Sequence, residues 1–182
     1  MHLTHILKRS ARLFPDAPAL TCQGQTLNWK QFRDRCARLG GALKTLDIGE
    51  NDRVAMLMFN SSRMAELFYG PAWIGAAYMP LNYRWTLREM KECLDDCTPR
   101  ILVVDGEHAD MGRRLMDSCP YLEHLIFADD GVSPEGLLDY DQLLEEAQPA
   151  TDVDRGGDDL AALFYTGGTT GRAKGVMLSH QN

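Results

Sequence analysis

Between Asn28 and Leu46 the apolar residues Trp29, Phe32, Cys36, Leu39, Leu43 and Leu46 step by three and four positions. That spacing places them on one face of a helix, and Gly49 follows just beyond, where a helix end favours it. The run Arg53–Phe59 is short and nearly all apolar, which predicts a strand buried on both faces. Asn60, Ser61 and Ser62 then offer capping side chains for a helix reaching about Ile74. Thr86-Leu-Arg-Glu89 is a capping box, in which hydroxyl and carboxylate each satisfy a free backbone N–H. The helix it opens carries Leu87, Met90, Leu94 and Cys97 on one side, and Pro99 stops it.

The alternation continues. Arg100–Val104 predicts a strand, Met111, Leu115 and Cys119 a helix, Leu125–Phe127 a third short strand, and Asp139–Ala147 a capped helix. Residues 148–159 are polar and rich in turn formers, a surface loop, and Leu160–Tyr165 is again strand-like. Near the N-terminus, Gly24 separates two short β-like runs between Ala19 and Asn28, which predicts a small hairpin. Strands apolar on both faces, alternating with helices, predict an α/β fold: helices packed on a parallel or mixed β-sheet.

Composition narrows the partners. A net charge of −7, with no run of five basic residues, argues against nucleic acid. The longest uncharged stretch, Leu67–Tyr83, is broken by two glycines and two prolines, too short for a membrane span. Met1–Arg9 meets charge at Lys8, before any signal-peptide core. Five irregularly spaced cysteines do not form a disulfide framework. Cys93 and Cys97 stand one helical turn apart, but no further ligand sits at metal spacing, so reduced thiols and a cytoplasmic location are expected.

The sharpest chemical feature is Tyr165-Thr-Gly-Gly-Thr-Thr-Gly-Arg-Ala-Lys174-Gly-Val-Met-Leu-Ser-His180. Gly167, Gly168 and Gly171 permit close backbone approach, Thr166, Thr169 and Thr170 bring hydroxyls, and Lys174 adds a cation. Clustered N–H groups, hydroxyls and an ammonium make a cradle for phosphate oxygens, and the position just after a strand suits a ligand site. A Walker loop is excluded, because Ala173 precedes and Gly175 follows the lysine. A Gly-x-Gly-x-x-Gly fingerprint is absent from the loop. The residues alone fit a phosphate loop or a ligand-free Gly/Thr turn.

The ordered set Tyr165-Thr-Gly-Gly-Thr-Thr-Gly171, Lys174-Gly-Val176 and Ser179-His180 resembles the signature loop of adenylate-forming enzymes. That superfamily holds acyl-CoA synthetases, adenylation domains of peptide synthetases and firefly luciferase. The resemblance extends upstream through Phe14–Leu20, Trp29–Phe32, Asp52–Ala55 with Asn60-Ser61, and Gly75–Asn82. Two positions depart from many members: Gly167 where Ser is common and Ala173 where Pro is common. The Gly-Gly-Thr-Thr-Gly form with Ala before Lys is closest to fatty-acyl-CoA ligases.

The resemblance implies an ATP-dependent, AMP-forming acid–CoA ligase with ATP, Mg²⁺ and CoA as co-substrates. A carboxylate attacks the α-phosphate, acyl-AMP forms and pyrophosphate leaves; CoA thiolate then displaces AMP. By matching the loop, Thr166, Gly167, Gly168, Thr169, Thr170, Gly171 and Lys174 would hold the β- and γ-phosphates, and none would act as a nucleophile. Residues 1–182 would then be the N-terminal part of the large AMP-binding domain, without the C-terminal domain and its catalytic lysine, and inactive alone. A fatty acid is the expected substrate, with aryl or small acids and carrier loading as alternatives. A nucleotide-binding or interaction module without catalysis is the non-enzymatic reading. Apolar surface left bare on the sheet would favour self-association, a homodimer.

Ser179 and His180 are adjacent on a strand and point to opposite faces, so His180 is structural. His2, His5, His108 and His124 read as surface or rim residues, and Asp95 and Asp96 as a solvated helix face. Arg84, beside Tyr83 and Trp85, is a candidate ligand patch whose aromatics have packing as their default role.

Overall fold

The computed structural model describes residues 2–167 and 173–182. Helix α1 (Leu3–Leu13) precedes a hairpin of β1 (Pro18–Cys22) and β2 (Gln25–Asn28). Helix α2 (Trp29–Thr45) leads into β3 (Arg53–Leu57), α3 (Ser62–Trp73), β4 (Ala77–Pro80), α4 (Leu87–Cys97) and β5 (Ile101–Val104). Then come α5 (Ala109–Ser118), β6 (His124–Phe127), β7 (Leu138–Asp139), α6 (Tyr140–Glu146), β8 (Leu160–Thr166) and β9 (Lys174–Ser179). The main sheet has the order β7-β6-β5-β3-β4-β8-β9. Every neighbouring pair is parallel except β8 with β9, which is antiparallel.

Helix starts are set by local chemistry. The Asn28 side chain accepts from Gln31 N at 2.8 Å, while Gln31 Oε1 accepts from Asn28 N at 2.9 Å, a reciprocal cap that opens α2. Thr86 and Glu89 make the corresponding box at α4, and Ser61 Oγ caps α3 by accepting from Met64 N. At the far end of α4, Thr98 turns left-handed (φ 44°) and Pro99 follows, so the helix cannot continue.

Alternation along the strands builds a core on each face. Val54, Met56, Ile101 and Val103 pack against Leu39 and Leu43 of α2, Leu67 of α3 and Leu144 of α6. The intervening Ala55, Leu57, Leu102 and Val104 pack against Met90 and Leu94 of α4 and Leu115 of α5. Each buried aliphatic side chain of this kind contributes about 1.5–3 kcal/mol. A third cluster joins Leu7 of α1 to Phe32, Cys36 and Trp73, over the β1–β2 hairpin.

The chain leaves β3 for α3 on one face and β4 for α4 on the other. All the parallel strands end at one edge of the sheet. The segments after Leu57, Pro80, Val104 and Thr166 therefore share the edge where α/β folds gather ligands.

Helix α1, strand β4 and the two-residue β7 are elements that the sequence pattern did not predict. The polar segment 148–159 is a surface loop, as expected, and it is pinned to the body of the fold. Trp73 Nε1 donates to Ala150 O, Ala150 N to Ala37 O, and Thr4 Oγ1 to Asp152 Oδ2.

Candidate functional site

Strands β8 and β9 form a hairpin whose connection is the glycine- and threonine-rich loop. At its neck Thr166 pairs with Lys174 and Tyr165 with Gly175. Thr166 Oγ1 lies 3.5 Å from Lys174 O, a weak bond across the neck. Thr166, Gly167 and Lys174 are exposed, and Gly167 has open space where a Cβ would stand. Gly168, Thr169, Thr170 and Gly171, named with them as phosphate ligands, lie outside the described residues. The described part thus brings one hydroxyl, one glycine and one ammonium to the mouth of the hairpin, at the carboxyl end of β8.

An open groove of about 450 Å³ runs beside the neck, between α4 and the hairpin, lined by Glu92, Asp96, Tyr165 and Lys174 among others. The carboxylates on its helix wall are engaged. Glu92 pairs with Arg88, Asp95 with Lys91 and Tyr121, and Asp96 Oδ2 accepts from Tyr165 Oη at 2.6 Å. Burial and the Asp96 carboxylate both push the Tyr165 phenol well above its ordinary pKa, so it stays a donor. Asp95 and Asp96 are therefore not merely a solvated face. Tyr121 and Tyr165 reach them from outside α4, and a helical pattern does not reveal those partners.

His180 is buried, and its Nδ1 accepts from Leu3 N at 3.2 Å. That acceptor role needs a free lone pair, and burial pushes the imidazole pKa down, so the ring is neutral with its proton on Nε2. A structural role joining the β9 end to α1 follows. His108 departs from the expectation of a surface residue. It is 8% exposed, and its Nδ1 and backbone N both meet Asp105 Oδ1, while Asp105 Oδ2 accepts from Phe59 N at 2.7 Å. Asp and His three residues apart at a strand-to-helix turn were the available signal.

In the Tyr83–Trp85 stretch, Trp85 is half-buried against the α4–α5 core. Tyr83 instead is 43% exposed, edge-on to Phe59, with the Arg84 guanidinium 5.5 Å from its ring centre. Among the described residues, no group of three or more His, Cys, Asp or Glu side chains is placed to hold a metal ion. The five cysteines are free. Among the described residues, no helix is long and apolar enough to cross a membrane.

The sequence pattern of one family, AMP-binding enzyme, matches residues 7–182. The chain belongs to that family. An indoleacetate–CoA ligase of Aromatoleum aromaticum is 31% identical over 181 residues, which are 98% of this chain and 35% of that protein. A fatty acid–[acyl-carrier-protein] ligase of Streptomyces coeruleorubidus is 30% identical over 168 residues, 92% of this chain and 31% of the relative. Among solved structures, an anthranilate CoA ligase in complex with anthranoyl-AMP superposes with a TM-score of 0.93 at 26% identity, covering all of this chain and 35% of that one. The chain spans about a third of the length of these relatives. This chain has the mixed α/β architecture of the matching region of that anthranilate CoA ligase, parallel save for β9.

Proposed function

We propose that these residues form the N-terminal part of the large domain of an ATP-dependent acid–CoA ligase, and that the β8–β9 loop holds the β- and γ-phosphates of ATP. The observation that carries this reading is the hairpin itself. It presents Thr166, Gly167 and Lys174 together at the ligand edge of the sheet, at the two ends of a signature loop. Family membership and ligase relatives support it. In the first step a carboxylate oxygen bonds to the α-phosphorus as the bond to the β-phosphate oxygen breaks. Donors fixed around the departing pyrophosphate lower that barrier. The thiolate of CoA then attacks the acyl carbonyl and AMP leaves. Magnesium would enter with the nucleotide, bound to its phosphate oxygens.

The acid is proposed to be a fatty acid, on the Gly167 and Ala173 form of the loop. Aryl acids are the second reading, favoured by the indoleacetate and anthranilate ligases among the relatives. A cytoplasmic location accompanies either. Self-association, as a homodimer, would use the exposed outer strand β9, where Val176 is 42% and Met177 is 73% exposed.

ATP–pyrophosphate exchange by the whole ligase, with a panel of fatty and aryl acids, tests the proposal. Exchange dependent on one acid class is expected, and none from the 182 residues alone. Exchange by that short chain would overturn the division of labour. Absence of exchange from the whole protein with every acid would overturn the activity.

A further inference from the structure

We propose that Tyr165 and Asp96 form a latch that positions the phosphate loop, making both positioning residues for ATP binding. The inference rests on the reading of the β8–β9 loop as the phosphate site. Thr166 and Lys174 stand at the neck of the β8–β9 hairpin, and among the described residues no strand pairs with the outer side of β9. Among the described residues Lys174, Gly175, Val176 and Met177 are exposed, and Ala173 and Tyr165 are partly buried against the core. Tyr165 ties the neck to α4. Its side chain leaves the last turn of β8, crosses Gly175 on the partner strand and reaches α4.

Three contacts define the arrangement. Tyr165 Oη donates to Asp96 Oδ2 at 2.6 Å, the length of a strong hydrogen bond to a charged acceptor. Gly175 leaves room for the crossing: a Cβ there would stand 3.2 Å from ring carbons of Tyr165 and 3.4 Å from its hydroxyl, so the ring would have to shift by a few tenths of an ångström. Asp96 is itself held, since the C-terminal turn of α4 is clamped to β3. Arg53 Nε donates to Cys97 O at 2.8 Å and Arg53 Nη2 to Thr98 O at 3.2 Å. The neck is thereby referred to the central strand of the sheet through α4.

The residue after Tyr165 is Thr166 and the residue before Gly175 is Lys174, so the latch lies one position from proposed phosphate contacts on both strands. Rotation of the neck would displace the hydroxyl and the ammonium together. Displacements of about 1 Å are enough to lose much of what oriented donors contribute. Neither Tyr165 nor Asp96 has to touch ATP for this to matter.

The experiment uses the whole ligase with Tyr165→Phe, Asp96→Ala and Gly175→Ala, which perturb one contact from three sides, plus the Tyr165→Phe/Asp96→Ala double variant. The readouts are KM and calorimetric Kd for Mg-ATP, KM for the acid, and amide hydrogen exchange across 160–182. Each single variant is expected to raise KM and Kd for ATP about five- to twentyfold, with the acid KM within twofold. The double variant should be no worse than the worse single one, because both remove the same bond. Exchange at the neck should quicken in all of them. ATP binding unchanged within twofold in Tyr165→Phe and Asp96→Ala would overturn the latch. So would equal losses in ATP and acid parameters, the mark of general loosening. Lys174→Ala serves as the separate control: an unaltered ATP Kd there would sink the phosphate-loop reading itself.

Discussion

Glu66 of α3 and Tyr140 of α6 meet in the core, where the carboxylate accepts the phenol hydrogen at 2.8 Å and both residues are buried. A carboxylate out of water needs further partners, and Arg35 of α2 supplies them, with a second bond to Asp141. Burial works against the charge on Arg35, but bonds to Glu66 and Asp141 outweigh it and hold the guanidinium protonated. The ionic cluster therefore ties α2, α3 and α6 together on one face of the sheet.

Removing one member should expose its dependence on the others. Glu66→Ala leaves Arg35 without its buried partner and should cost about 3–5 kcal/mol, while Tyr140→Phe should cost about 1–2 kcal/mol. Urea unfolding would read both. Equal, small losses would mean that the cluster contributes little.

Asp141 predicts the acid limb of stability. Its half-buried position would raise its pKa, but bonds from Arg35 and Arg63 prevail and hold it below the ordinary 3.8. A depressed carboxylate stabilises the fold fully above the unfolded value. That contribution fades as pH falls from about 3.8 through the lower folded value. Asp141→Asn should therefore flatten the stability profile in that window and lower stability at neutral pH. A profile below pH 4 unchanged by the substitution would contradict the pairing.

Gly41 lies inside α2 where the chain returns across it: a Cβ would sit 1.9 Å from Gln148 O. Because the obstacle is backbone, Gly41→Ala should destabilise by about 1–3 kcal/mol or more, despite its gain in helix propensity. Thermal unfolding checks this. A stabilised variant would show that the 148–150 segment yields freely.

Helices α2 and α4 announced themselves because each buries a regular stripe and carries its own cap, as Asn28 with Gln31 and Thr86 with Glu89 do. Strands β3, β5 and β8 were legible as short apolar runs. Strand β4 was hidden by Pro80, which ordinarily argues against a central strand; here it closes the strand, and Leu81 N resumes the ladder by donating to Met56 O. Helix α1 was hidden because only Thr4 and Leu7 are buried from it, too few to mark a face. The loop residues Thr166, Gly167 and Lys174 came from an ordered motif. Asp96 did not, since its partner Tyr165 is distant in sequence and a helical period says nothing about what crosses from another strand.

Thiol reactivity offers an independent check on packing. Burial raises Cys93 to about 12 and Cys97 to about 11. Cys36 and Cys119 are fully buried, while Cys22 on the outer hairpin is only partly covered. Iodoacetamide at pH 8 should label Cys22 first, and mass spectrometry would read the order. Early labelling of Cys97 would contradict the packing of α4 against the sheet.

The central claim is that the β8–β9 loop grips the triphosphate, and the ammonium of Lys174 is its most separable part. The most direct measurement is the Mg-ATP Kd of the whole protein, by calorimetry, with and without Lys174→Ala. Loss of a charged hydrogen-bond donor predicts affinity weakened about ten- to a hundredfold, with acid binding unaffected. Unchanged ATP affinity in that variant would contradict the account.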